Sequence, residues 1–387
     1  MRGRRGRRDP GAAGAERGWG MMGGMEQQST AVNPAQTPSR TPPLRVQDAP
    51  AGRVVLGAGA RHAIPGELER IGARRVFLVA TRSAAAAAEE LADALGPRLA
   101  GRFDRPAVHT PVAVTEAALE ALTGASADAL VALGGGSAVG LGKALSVRTG
   151  LPQVAVPTTY AGSEVTPVLG ETADGVKSTR RDPAIAPGTV VYDPELTLGL
   201  PAGLTLTSAM NALAHAVEAL WAPDATMATD ALAAESAEGI LGTLPAVLAE
   251  PAALPARARL QESAWLAGIC LARTRMGLHH QLAHVLGGAF DLPHAELHTL
   301  LLAHVVGYNL PYAPAAAARL ERIAGPDPAA VIAALAGSYQ GPKTLGELGV
   351  PREALPEIAA RVLAQPYPNP RPLDAASLTA LLEAAWG

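Results

Sequence analysis

A chain of 387 residues is too long for one ordinary domain, and its 48% hydrophobic and 17% charged residues supply material for two packed cores. A formal net charge of -3 gives no basis for nucleic acid as the main partner. The single cysteine, Cys270, excludes an internal disulfide and points to a reducing cytoplasm. No apolar run reaches the roughly 20 residues that a membrane helix requires, so no membrane association is expected.

Residues 1–48 stand apart. MRGRRGRR carries five arginines in eight residues, and Gly, Ala, Gln, Ser and Pro follow with no apolar periodicity. Such a stretch has nothing to bury and is expected to be a disordered extension. Twin-arginine export needs an apolar segment after the arginines, and none follows; Met21, Met22 and Met25 are candidate later starts.

From Arg53 the pattern alternates. RVVLGAG reads as a strand ending in a glycine turn, PGELERIG as a helix, RVFLVAT (75–81) as a strand and SAAAAAEELADALG as a helix stopped by Gly96. VTEAALEALTGA is a further helix and ADALVAL (127–133) a short apolar strand. GGGS reads as a turn, AVGLGKALSVRTG as a helix and QVAVPTT (153–159) as the next strand. Apolar strands alternating with helices predict a parallel sheet covered on both faces, an α/β nucleotide-binding domain over 49–203. Beyond PAGL the strand signals stop. Segments such as ALAAESAEGILGTLPAVLAE and ARLQESAWLAGICLAR predict an all-helical second domain over 204–387.

Two stretches carry chemistry. ALVALGGGSAVGLGKAL runs from a strand through Gly134, Gly135, Gly136 and Ser137 into a helix, which offers free backbone N–H groups to a phosphate. It matches neither of the common glycine-rich nucleotide fingerprints. The next strand ends in the polar VPTTYAGSE, and ligands of open α/β sheets bind at the carboxyl ends of strands.

The second stretch is HHQLAHVLGGAFDLPHAELH, which holds five of the nine histidines. Asn211 and His215 are four apart on one helix face, as are His280 and His284. The Gly-Gly and Leu-Pro are expected to turn the chain so that His294 converges on them. Imidazoles so gathered suit a transition metal, or polarisation and protonation of a carbonyl. His279, His298 and His304 are ambiguous, whereas His62 and His109 read as isolated core residues.

GGGS before a helix, VPTT, the Asp193-Pro194 pair, ALAHAVEAL and HHQLAHVLGGAFDLPHA together resemble the iron-containing (group III) alcohol dehydrogenase family, and within it the maleylacetate reductases, over residues 50–387. That resemblance implies a dinucleotide-binding α/β domain, a helical domain and an active site in the cleft between them. It implies that Gly135, Gly136 and Ser137 hold the cofactor pyrophosphate, that Thr158, Thr159 and Ser163 line the groove, and that Lys177 lies near the nicotinamide ribose. At Thr81 and Arg82 many members place an acid that binds the adenosine ribose. Arg82 instead suits a 2′-phosphate, so NADPH is expected beside NADH.

Metal-dependent members ligate their ion with an aspartate and three histidines. His215, His280 and His294 match the histidines, but Asn211 stands at the aspartate position, and losing that carboxylate weakens Fe²⁺ or Zn²⁺ binding. The reductase subgroup shares this asparagine, so a metal is not expected to be required. The resemblance then implies NAD(P)H-dependent reduction of 2-maleylacetate to 3-oxoadipate in aromatic compound degradation by a cytoplasmic homodimer. His280 or His284 would supply the proton, with His215, His294 and Asn211 around them and Arg273 and Arg275 as candidate cations for the dicarboxylate. The rivals are a metal-dependent alcohol or polyol dehydrogenase of the same fold, and a silent nucleotide-binding protein.

Overall fold

The computed structural model describes residues 45–49 and 52–387 other than 174; the proposed extension, up to residue 44, lies outside the described residues. Among the described residues nine strands are present: β1 (Arg45–Ala49), β2 (Gly52–Leu56), β3 (Val76–Ala80), β4 (Leu99–Phe103), β5 (Ala129–Gly134), β6 (Gln153–Pro157), β7 (Val168–Ala173), β8 (Val176–Arg181) and β9 (Thr189–Tyr192). Seven form one sheet in the order β1-β2-β9-β6-β5-β3-β4, parallel throughout except for β1 against β2. Residues 45–48, assigned to the unstructured extension, are thus already part of the sheet edge.

Strands β3, β5, β6 and β9 are buried on both faces, as their apolar sequences require. Helices α1 (Ile64–Arg70), α2 (Ala85–Leu95), α3 (Val112–Gly124) and α4 (Gly136–Thr149) alternate with the strands. In β3, Val76, Leu78 and Ala80 pack with Leu68 and Leu91 on one face, while Phe77 and Val79 pack with Leu122 and Leu145 on the other. From β3 the chain moves outward to β4, and from β5 it moves the opposite way to β6. The carboxyl ends of β3 and β5 therefore flank a topological switch point, where a crevice must open.

Nine helices make up the rest: α5 (Ala202–Ala219), α6 (Met227–Ala249), α7 (Leu254–Arg273), α8 (Leu278–Phe290), α9 (His294–Asn309), α10 (Pro314–Ala324), α11 (Pro328–Gly337), α12 (Leu355–Ala364) and α13 (Ala375–Trp386). One core joins α5, α6 and α7, and a second joins α8, α9, α12 and α13. By length and composition α6 is apolar enough to cross a membrane, which the sequence reading did not register. Its Ala233, Ala237, Ile240, Leu244 and Val247 are buried in the first core, so it serves as a core helix.

The halves are joined by packing as well as by the chain. Trp265 and Ile269 of α7 lie against Val54, Val190 and Tyr192 of the sheet. A Cβ on Gly268 would sit 2.2 Å from the carbonyl oxygen of Gly162, so only a glycine lets this helix meet the loop after β6. That loop and α7 are consequently fixed relative to each other.

Candidate active site

Three strand ends meet at the switch point. Gly134 closes β5 with φ +145, and a Cβ there would lie 2.6 Å from the Thr81 side chain at the end of β3. The Thr81 amide donates to Leu133 O and the Thr158 amide to Gly134 O, each at 3.1 Å. Gly135 caps α4, and Gly136 and Ser137 form its first turn rather than the free turn expected of GGGS. A Cβ on Gly136 would meet nothing within 4 Å, which leaves its face of the helix N-terminus open to an anion. Thr159 approaches Gly135, where a Cβ would lie 3.0 Å from its methyl group. Arg82 and Ser83 are exposed just past Thr81.

Ser163 follows in the loop after β6, and the residue that fixes that loop was not foreseen. The Lys143 ammonium is buried on α4 and donates to the carbonyls of Ser163, Thr166 and Val168 at 2.6, 2.8 and 3.0 Å. Burial pulls it down to about 7, with the nearby Glu164 opposing. Lys177 is carried by β8, opposite Thr172 in an antiparallel β7–β8 hairpin that the sequence did not foretell. Its side chain lies outside what is described.

The histidines converge as expected, through the Leu-Pro half of the expected turn and not the Gly-Gly half. Gly287 and Gly288 lie inside α8; the reversal comes from Asp291, in the left-handed region at φ 52, followed by Leu292 and Pro293. The short link sets α9 against α8. His215 then stacks on His280 with ring centroids 4.9 Å apart, and His284 stacks on His294 at 5.5 Å with 8° between planes. His279 and His298 join them: His279 Nε2 meets His298 Nδ1 at 2.6 Å, and His298 Nε2 meets His294 Nε2 at 2.9 Å. Six imidazoles thus form one cluster. His304 lies apart, half-buried beside Tyr308 and Arg371.

Glu218 organises the cluster. It lies on α5 three residues after His215 and is fully buried. Its carboxylate accepts from the amides of Gly277 and His279 at 2.9 and 2.8 Å, capping α8, and from His280 Nδ1 at 2.6 Å. Burial pushes the carboxyl up, but the His280 hydrogen bond and charge outweigh it and hold Glu218 below the usual carboxylate range. His280 is therefore fixed with Nδ1–H toward Glu218 and Nε2 facing inward, buried and without a hydrogen-bond partner. The spacing 211, 215, 218 puts Asn211, His215 and Glu218 on one helix face, a signal the sequence did contain.

Burial, reinforced by neighbouring imidazoles, holds His215 and His298 well below the ordinary imidazole range. His279 falls to about 3 for the same reason, with Glu218 opposing. The expectation of two isolated core histidines needs correction. His62 is 62% exposed and pairs with Glu90, and His109 is exposed in the left-handed region, so neither is a core histidine. Arg275 spends its amide and guanidinium on Asp224 at the surface, and Arg273 is exposed at the end of α7.

The donor set lacks the free carboxylate that a hard divalent ion prefers. Asn211 offers a neutral amide oxygen, itself buried and unpaired, and the Glu218 oxygens are committed to α8 and His280. His294 Nε2 is engaged by His298. Among the described residues no three histidine, cysteine or acidic side chains are disposed to hold one ion. A hard cation would find no carboxylate aimed at it.

Comparison with known proteins agrees with this architecture. The model for iron-containing alcohol dehydrogenases matches residues 51–194, and that for the C-terminal part of the same family matches residues 205–386. A maleylacetate reductase of Sphingobium indicum is 44% identical over 334 residues, covering 86% of this chain and 95% of its own. The crystal structure of maleylacetate reductase from Agrobacterium tumefaciens superposes with a TM-score of 0.84 at 43% identity, over 89% of this chain and 98% of its own. A sulfoacetaldehyde reductase from Bifidobacterium kashiwanohense, solved with NAD⁺, is 24% identical and shares the fold, with a TM-score of 0.80 over 88% of this chain and 98% of its own.

Proposed function

We propose, for a chain that belongs to the iron-containing alcohol dehydrogenase family, the reaction of a maleylacetate reductase, in which NADH or NADPH reduces 2-maleylacetate to 3-oxoadipate. The observation that carries this reading is the sealed Glu218–His280 pair, with His280 Nε2 unpartnered among neutral imidazoles and Asn211 where a metal-binding carboxylate would be needed. The 44% identity to a reductase of that name over most of both chains supports the substrate.

A bound nicotinamide would supply hydride to the alkene carbon β to the ketone, with the displaced electron pair taken up by the ketone oxygen. The carbon between them then takes a proton, giving the saturated oxo-dicarboxylate. Donors aimed at that oxygen lower the barrier because charge develops there. His280 would deliver the proton from Nε2 as the doubly protonated ring, and Glu218 on Nδ1 holds that ring in position. His215 stacks on His280 and helps exclude water; Asn211 shares its helix face.

The cofactor would lie across the switch point, its pyrophosphate on Gly135, Gly136 and Ser137 and its nicotinamide half along Thr158, Thr159 and Ser163. Lys177 would reach the nicotinamide ribose. At the adenosine end, exposed Arg82 beside Thr81 is available to a 2′-phosphate, which favours acceptance of NADPH. A cytoplasmic homodimer belongs to the same reading, and the lone buried Cys270 suits a reducing compartment.

The test is cofactor oxidation by the purified protein on addition of maleylacetate, with 3-oxoadipate identified by mass. Reduction of NAD⁺ by simple alcohols or polyols, dependent on added Fe²⁺ or Zn²⁺ and without maleylacetate turnover, would assign the chain to the metal-dependent dehydrogenases instead.

A further inference from the structure

The segment 365–374, QPYPNPRPLD, connects α12 to α13 and alternates proline with other residues. Each residue before a proline is confined to extended backbone, so the segment is a stiff strap with little entropy left to lose. It is pinned to the active-site helix. Gln281, the residue after His280, donates through Nε2 to Val362 O and Gln365 O at 2.8 and 2.7 Å, and its Oε1 accepts the Tyr367 amide at 2.9 Å. Pro368 O lies so close to α8 that a Cβ on Gly277 would sit 2.9 Å from it. Further along, Asn369 and Asn309 exchange amide hydrogen bonds at 2.8 Å, and the Arg371 guanidinium covers the Tyr308 ring at 4.0 Å.

This anchoring delivers one side chain to the imidazole cluster. The Tyr367 ring stands edge-on to His284 with centroids 6.2 Å apart, and its hydroxyl is 3.4 Å from His284 Nδ1. That distance is at the long limit for a hydrogen bond, so the phenol is held near His284 without being strongly bound to it. Tyr367 is 37% exposed and His284 is exposed, whereas His280 is buried, so the pair forms the rim of the cluster and His280 its floor. Apart from its long contact with His284 this hydroxyl anchors nothing among the described residues; the strap is held through Gln281, Asn309, Asn369, Tyr308 and the backbone.

We propose that Tyr367 is a specificity-determining residue that donates its hydroxyl to a carboxylate of the substrate, and that Gln281 is the positioning residue that sets it there. The proposal rests on the reductase reading of the same cluster. A dicarboxylate whose ketone lies over the His280 floor keeps a charged end at the rim, where a rigid neutral donor pays little desolvation and orients the molecule. The strap thereby separates a dicarboxylate from an uncharged carbonyl compound of similar length.

Tyr367→Phe removes only the hydroxyl and leaves the ring. It is expected to raise KM for maleylacetate about 10-fold or more, because a hydrogen bond to a charged group contributes roughly 1.5–3 kcal/mol. Its kcat should stay within about 2-fold of wild type and NADH affinity should not move, since the contact is made equally in ground and transition states. Calorimetric titration of 3-oxoadipate into the NAD⁺ complex should show the same loss of affinity. Gln281→Met should reproduce the KM rise, and the double variant should add nothing to it. An unchanged KM and dicarboxylate affinity, or a fall in kcat at constant KM, would overturn the assignment of Tyr367. Additive single effects would overturn that of Gln281. If the wild type turns over no maleylacetate, the reductase reading fails separately, and 3-oxoadipate binding then decides whether the rim recognises dicarboxylates.

Discussion

Glu218 and His280 are joined by a 2.6 Å hydrogen bond between side chains 0% and 4% exposed, and the same carboxylate caps the helix that carries His280. One group thus fixes the position, the tautomer and the local field of the proposed acid. Glu218→Gln keeps the size but removes the charge and can turn an amide N–H toward Nδ1, reversing the tautomer. Its kcat should fall about 10²- to 10³-fold, within the range that positioned acid–base groups contribute. Cofactor affinity should be unchanged, because the proposed cofactor groove lies in the other half of the chain. Steady-state kinetics with fluorescence titration of NADH reads both; a kcat within a few-fold of wild type would remove Glu218 from the mechanism.

The cluster also sets an acid limit on stability. His215, His279, His298 and His304 are held below the ordinary imidazole range by burial, His279 at about 3. Below about pH 6.5 the unfolded chain binds protons at these sites and the folded chain does not, so stability must fall as pH falls. The slope is at most about 1.4 kcal/mol per pH unit for each group. Glu164, pushed up by burial, opposes with one proton. The urea midpoint should therefore drop markedly from about pH 7.5 to about pH 5.5, whereas a flat midpoint would mean that the imidazoles are not buried neutral in solution.

Cys270 is sealed in the helical core, where burial pushes its thiol up to about 12. Thiolate is the reactive form, so the native protein should leave a thiol reagent unconsumed at neutral pH and take up one equivalent only on unfolding. Rapid labelling without loss of structure would contradict the packing of α7.

Arg82 is expected to separate the two cofactors. Replacement by Glu should raise KM for NADPH about 10- to 100-fold, through loss of a charge-assisted pair and gain of repulsion, and leave NADH unaffected or improved. Equal effects on both cofactors would place Arg82 outside the adenosine site.

Much of this architecture was legible because burial leaves a period in the sequence. VFLVA could be assigned as a two-sided strand, and the i,i+4 spacings of Asn211 and His215 and of His280 and His284 put each pair on one face. What escaped were residues whose partners lie far along the chain. Glu218 reads as a solvent-facing acid on an apolar helix until α8, sixty residues on, presents its amides and His280. Lys143 is hidden in the same way, paired with carbonyls twenty to twenty-five residues away. Gly287 and Gly288 looked like a break, yet each costs a helix only about 1 kcal/mol, and the tertiary packing of α8 absorbs that. The turn fell to Asp291 and Pro293, whose left-handed and fixed backbones do end a helix.

The central claim, that imidazoles and Glu218 rather than a bound metal carry the reduction, is tested most directly by exhaustive chelation. NADH oxidation by maleylacetate would be followed on the same preparation before and after treatment, with metal content measured alongside. The account predicts an unchanged kcat at metal far below one equivalent. Activity lost on chelation and restored by Fe²⁺ or Zn²⁺ would contradict it, and would mean that Asn211, His215, His280 and His294 hold an ion after all.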